Sequence, residues 1–151
     1  MLRSTWTIEQ PIDDLGKMSK PLVKKHRREL KNLLVNLQIY LDALNAGGIP
    51  IQIQRGFIHQ EPHGVLAIDQ RGEGSGLKEF RLYLYPDSAL QKLYLLALGD
   101  KNTQKSDIAL CTQWVLGFRE QTQNLRATTG QYDNSEKGRE ARNEQGEEDG
   151  V

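Results

Sequence analysis

Apolar positions in this chain of 151 residues switch repeatedly between alternate and helical spacing, and each switch marks an element. Thr5-Trp6-Thr7-Ile8-Glu9 alternates, which predicts a short strand with Trp6 and Ile8 on one face. Pro11 stops it, and Asp13-Asp14 can begin a helical turn over Leu15 and Met18. Leu30, Leu33, Leu34, Leu37, Leu41 and Leu44 then step by three and four, a leucine stripe within a helix from about Pro21 to Asn45. Ser19 is its expected N-cap, Pro21 fits the first turn, and Gly47 follows where a left-handed residue ends helices. A helix of that length is long for a small domain, so a break near its start, giving a helical hairpin, is the alternative.

The period then shortens. Val65–Gln70, Glu79–Tyr85 and Lys92–Leu98 read as three strands of an antiparallel meander, with Trp6–Ile8 as a fourth. Gly56–Gly64 is mixed and reads as a turn, Arg71–Gly76 as a glycine-rich connection, and Pro86-Asp87-Ser88 as the hairpin turn. Ile108, Leu110, Cys111, Trp114, Val115 and Phe118 recur at helical spacing behind Ser106 or Asp107 as cap. From about Gln121 large apolar residues almost vanish, and a disordered polar tail is expected, because it cannot bury enough surface to offset its chain entropy. The expected organisation is one α+β domain over residues 1–122: an antiparallel sheet of about four strands against an N-terminal helix or helices, with a C-terminal helix. Residues 123–151 are the acidic tail.

Charge adds one distinction. The total of 20 Lys/Arg against 20 Asp/Glu is balanced, but residues 1–123 hold 16 against 13 and residues 124–151 hold 4 against 7. A mildly basic body is compatible with an anionic partner. A single cysteine, Cys111, excludes an internal disulfide and a multi-cysteine zinc site. No apolar run approaches the ~18 residues of a membrane span, and the first residues lack a secretory h-region, so a soluble cytoplasmic protein is expected.

Candidate chemistry is sparse. The run Lys20, Lys24, Lys25, His26, Arg27, Arg28 and Lys31 is either a phosphate-contacting patch or a solvated helix face. His59 and His63 lie four apart but around Pro62, so helical metal spacing does not apply, and nothing nearby in sequence orients either for proton transfer. Cys111 on an apolar helix side reads as a buried thiol. Tyr83, Tyr85 and Tyr94 read as sheet packing or as stacking surfaces for bases. Arg81 is a fixed cation inside an apolar strand. It must reach solvent, a carboxylate (Asp69, Glu79 or Asp87) or a phosphate.

Gly74-Ser75-Gly76-Leu77-Lys78-Glu79-Phe80-Arg81-Leu82-Tyr83-Leu84-Tyr85, followed by Leu93–Ile108 with its Gly99-Asp100-Lys101-Asn102 turn, resembles the RelE/ParE superfamily of toxin–antitoxin toxins. Met18–His26 looks like that family's basic entry into its first helices. The resemblance spans about Trp6 to Phe118. It implies a toxin that cleaves mRNA on the ribosome without metal or cofactor and is neutralised by a cognate antitoxin protein, with no membrane partner; other members inhibit DNA gyrase instead. By position, the resemblance makes Arg81 and Lys101 catalytic and Lys78, Arg71, Lys105, Tyr83 and Tyr85 RNA-binding. Asp69 departs from the family pattern, where a basic residue is common, and no C-terminal Tyr or His supplies the acid–base group.

Overall fold

The computed structural model describes residues 5–12, 20, 24–70 and 78–134. They form an α+β fold of five strands and two helices: β1 (Thr7–Glu9), α1 (Arg27–Asn45), β2 (Ile58–Gln60), β3 (Leu66–Asp69), β4 (Phe80–Asp87), β5 (Lys92–Asp100) and α2 (Gln104–Asn134). One-turn 3₁₀ segments occupy Pro50–Gln52 and Pro62–Gly64. The chain divides into two units, Met1–Val115 and Leu116–Val151.

The sheet runs β1-β5-β4-β3-β2. The expected four antiparallel strands are therefore five in a mixed sheet. The meander β2-β3-β4-β5 is antiparallel, but β1 pairs parallel to β5, with Ile8 opposite Leu93. Parallel neighbours need a long connection, and here α1 and the strands β2 to β4 all lie between β1 and β5 in the chain. The added strand, β2, lies in the stretch read as a turn, because three residues are too short to display a period. Pro86 and Asp87 belong to β4, so the hairpin turn sits later, at residues 88–91. There Asp87 Oδ1 accepts the Ala89 N–H at 3.1 Å, and Gln91 takes a positive φ of 53°.

Strand alternation sends Leu66, Ile68, Phe80, Leu82 and Leu84 to one face, where they pack with Leu33, Leu37, Tyr40 and Leu44 of α1. The buried side of α1 is not the pure leucine stripe expected. Glu29, Asn36 and Tyr40 share it, while Leu34 is 51% exposed, because its angular position on the helix falls outside the arc of Leu33, Leu37 and Leu44. Each of these three polar groups of α1 has a partner. Asn36 Nδ2 donates to the Asp69 carbonyl at 2.9 Å, Tyr40 donates to the Pro50 carbonyl at 3.1 Å, and Glu29 accepts the Lys78 N–H at 3.1 Å. Trp6 is buried. Ile8 is not, because β1 is an edge strand exposed at every residue.

Helix α1 begins after a break at His26 (φ −132°, ψ 50°), and residues 24 and 25 before it are helical. Ser19 lies outside the described residues. Gly47, at φ +100°, ends α1 in the left-handed region. Helix α2 continues to Asn134, so residues 121–134 are helical where loss of structure was expected, and the expected boundary after residue 122 falls inside the helix. Once a helix is nucleated, each added residue gains a backbone bond without burying a face. In the second unit Leu116 and Leu125 are exposed. Among the described residues, no helix is long and apolar enough to cross a membrane.

Candidate functional site on the second face of the sheet

Alternation also decides what lies on the opposite face. Residues between the core positions (His59 of β2, Ala67 and Asp69 of β3, Arg81 and Tyr83 of β4, Ala97 and Gly99 of β5) point away from α1. Register aligns Asp69, Arg81 and Gly99 in one cross-strand row, and Ala67, Tyr83 and Ala97 in the next. Two alanines and a glycine leave room above the sheet. The first turns of α2 occupy part of it, bringing in Asp107, Cys111, Trp114 and Val115. Tyr85 and Tyr94 pack their rings on Trp114 at centroid distances of 6.2 Å and 4.9 Å.

Towards β2 the same face turns polar. His59 Nε2 lies 2.6 Å from Asp69 Oδ2, with the carboxylate buried and the imidazole only partly so. A carboxylate this close takes the Nε2 proton of a neutral ring as its hydrogen bond, which leaves the lone pair on Nδ1. Asp69 is itself placed by α1, through Asn36 on its carbonyl. Arg81, one strand across, directs Nη1 to Glu61 and Nη2 to Glu79, each at 3.6 Å.

Near α2 the carboxyl of Asp107 sits where a side chain at position 99 would be, so the close approach requires Gly99. Thr103 Oγ1 donates to Asp107 Oδ2 at 2.7 Å. Burial raises the Asp107 pKa; the Thr103 bond opposes this and the negative charge of Asp100 adds to it. Tyr83 is fully buried, and its hydroxyl has no hydrogen-bond partner among the described residues. Burial first, then the negative charge of Asp107, pushes that hydroxyl up to about 12. Burial likewise raises the Cys111 thiol to about 12, so it is no ready nucleophile. Among the described residues no group of three His, Cys, Asp or Glu is arranged to hold a metal ion.

The sequence-derived site residues separate on this frame. Arg81 lies in the cluster, and its carboxylates are Glu61 and Glu79, the second of them an expected partner; Asp69 is bonded to His59, and Asp87 serves the hairpin turn. Lys78 is tied to Asp100 at 3.1 Å, with its ammonium 5.7 Å from the centre of the Phe80 ring. Lys101, exposed, follows Asp100 in the β5–α2 turn, and Lys105 is exposed on the first turn of α2. Tyr85 lies edge-on to Trp114. Tyr83 must be corrected: a ring with no exposed surface cannot stack on a base. Arg71 lies outside the described residues. Of the cluster's members, His59 was weighed for proton transfer but set aside for want of an orienting group, and Glu61, just after β2, was missed because β2 was missed. The available signal was Asp69, a carboxylate ending an apolar strand and in need of a partner.

No protein-family model, curated protein or solved structure matches the chain.

Proposed function

We propose that this chain is a RelE-like toxin: a metal-independent endoribonuclease that cleaves translated mRNA and is held inactive by an antitoxin protein. One observation carries the reading, the 2.6 Å His59–Asp69 contact one strand away from Arg81. It supplies the acid–base group that the sequence pattern lacked. His59, oriented by Asp69, takes the proton of a ribose 2′-hydroxyl as its oxygen bonds to the adjacent phosphorus. Arg81 stabilises the charge that develops on the phosphoryl oxygens. The P–O5′ bond then breaks, and the proton returns to the leaving oxygen, giving a cyclic phosphate and a 5′-hydroxyl. The order strand, helix, antiparallel meander, helix, with β1 beside the last strand, supports a RelE-like arrangement.

The test is induced expression of wild type, His59→Ala and Arg81→Ala, with mRNA ends mapped by primer extension. Growth arrest and new 5′ ends are expected from wild type alone. Equal arrest from all three, or arrest without new ends, removes the nuclease assignment. A second reading keeps the fold and drops the chemistry: a binding protein that blocks gyrase or engages only a partner. The two carboxylates on Arg81 favour it, since they offset the cation a phosphate would need. Inhibition of supercoiling by the purified protein, unchanged in His59→Ala, is the outcome it requires.

A further inference from the structure

The two carboxylates on Arg81 differ in kind. Glu61 is only 12% exposed, and its backbone N–H is bonded to the Val65 carbonyl at 2.8 Å, so its backbone is anchored in the β2–β3 connection and its side chain is largely enclosed. Glu79 is 49% exposed and precedes β4, outside the paired strands. They also take different nitrogens of the guanidinium, Nη1 and Nη2. At 3.6 Å both contacts are ion pairs rather than tight bidentate bonds, and the pair to the more exposed partner costs least to break. The Arg81 side chain is itself 23% exposed, so solvent reaches part of it.

We infer that Arg81 is an anion-binding group with one fixed and one exchangeable edge: Glu61 orients the guanidinium through Nη1, and Glu79 occupies the Nη2 edge until a phosphodiester displaces it. The planar fork of arginine suits this division, since one edge can stay anchored while the other accepts two phosphate oxygens. Glu61 is thus a positioning residue, and Glu79 sets a threshold that a dianion or polyanion passes more readily than a weak monoanion. The inference rests on the nuclease reading only for the identity of the diester, not for anion binding itself.

Titration of the purified full chain with inorganic phosphate, and with a 2′-deoxy oligonucleotide that cannot be cleaved, tests it. Glu79→Gln, an isosteric change at a half-exposed site, is expected to tighten both by roughly threefold to fivefold. Adding Arg81→Ala to that variant is expected to erase the gain. A Glu79→Gln protein that binds no tighter, or a gain that survives Arg81→Ala, overturns the exchangeable edge. Nitrogen-15 NMR of the guanidinium reads the other half. Resolved, slowly rotating Nη signals are expected in wild type and Glu79→Gln, and averaged signals in Glu61→Gln. Signals already averaged in wild type overturn the fixed edge. Phosphate binding that depends on Arg81 without RNA cleavage by any variant sinks the nuclease reading alone. Cleavage that needs Arg81, with Glu79→Gln neutral in binding, sinks this inference alone.

Discussion

The two faces of the sheet are built by the same strands from alternating residues, yet they have opposite physics. The α1 face carries Leu66, Ile68, Phe80, Leu82 and Leu84 in contact with a helix, and the polar groups at its margin are paired. The other face carries Asp69, Arg81 and Tyr83 at the intervening positions. It is filled only in part by aromatic packing on Trp114, and it contains a buried hydroxyl without a partner among the described residues. A leftover polar atom is rare in a face selected for packing alone. The main apolar cluster lies on one side, and candidate chemistry on the other, one residue away along the chain. A strand of period two can separate these demands without any change of fold.

The largest expected effect comes from comparing two neighbours. Leu84→Ala, fully buried on the α1 face, is expected to cost about 3 kcal/mol in urea unfolding, while Arg81→Ala should stay within about 1 kcal/mol of wild type and lose anion binding. Equal losses from both would break the division between faces. In RNA cleavage, His59→Ala and Asp69→Asn should each reduce the rate by about 10²-fold or more, because either removes the oriented base. Gly99→Ala should cost about 1–3 kcal/mol, since its methyl group meets the Asp107 carboxyl and the Thr103 hydroxyl. Tyr83→Phe sharpens the comparison differently. Removing an unsatisfied buried hydroxyl should leave stability unchanged or raise it by up to about 1 kcal/mol, with the melting temperature as readout.

The smallest effect is electrostatic. Lys78 lowers the Asp100 carboxyl below its ordinary 3.8; burial opposes this, and the N–H groups of Asn102 and Thr103 assist it. A depressed acid contributes stability that is present above its unfolded pKa and lost as pH falls through the folded one. The difference between wild type and Lys78→Ala should therefore be constant above about pH 5 and vanish only in the acid range below 3.8. A difference that grows on acidification would contradict the pairing.

Legibility followed period and length. The eight-residue β4 and nine-residue β5 are long enough to show their pattern, and the helix ending at Gly47 has a glycine where the backbone turns left-handed. Three-residue β2 has no readable period, so His59 and Glu61 looked like loop residues. Leu34 matched the helical spacing but missed the buried arc. Tyr83 read equally as sheet packing or as a stacking surface, and only the docking of α2 shows that it is covered. Lone polar residues in apolar strands, Arg81 and Asp69, were visible as anomalies, though not with their partners.

Local sequence thus determined the α+β class, the strands β3 to β5, the end of α1, and the fact that Arg81 had to reach solvent, a carboxylate or a phosphate. These depend on neighbouring residues and on the one-residue rise of an element. Which carboxylate meets which cation was decided only in three dimensions. Glu61 reaches Arg81, and His59 reaches Asp69, because β2 folds back beside β3 in one register, and a pairing register is a property of two segments rather than of either alone.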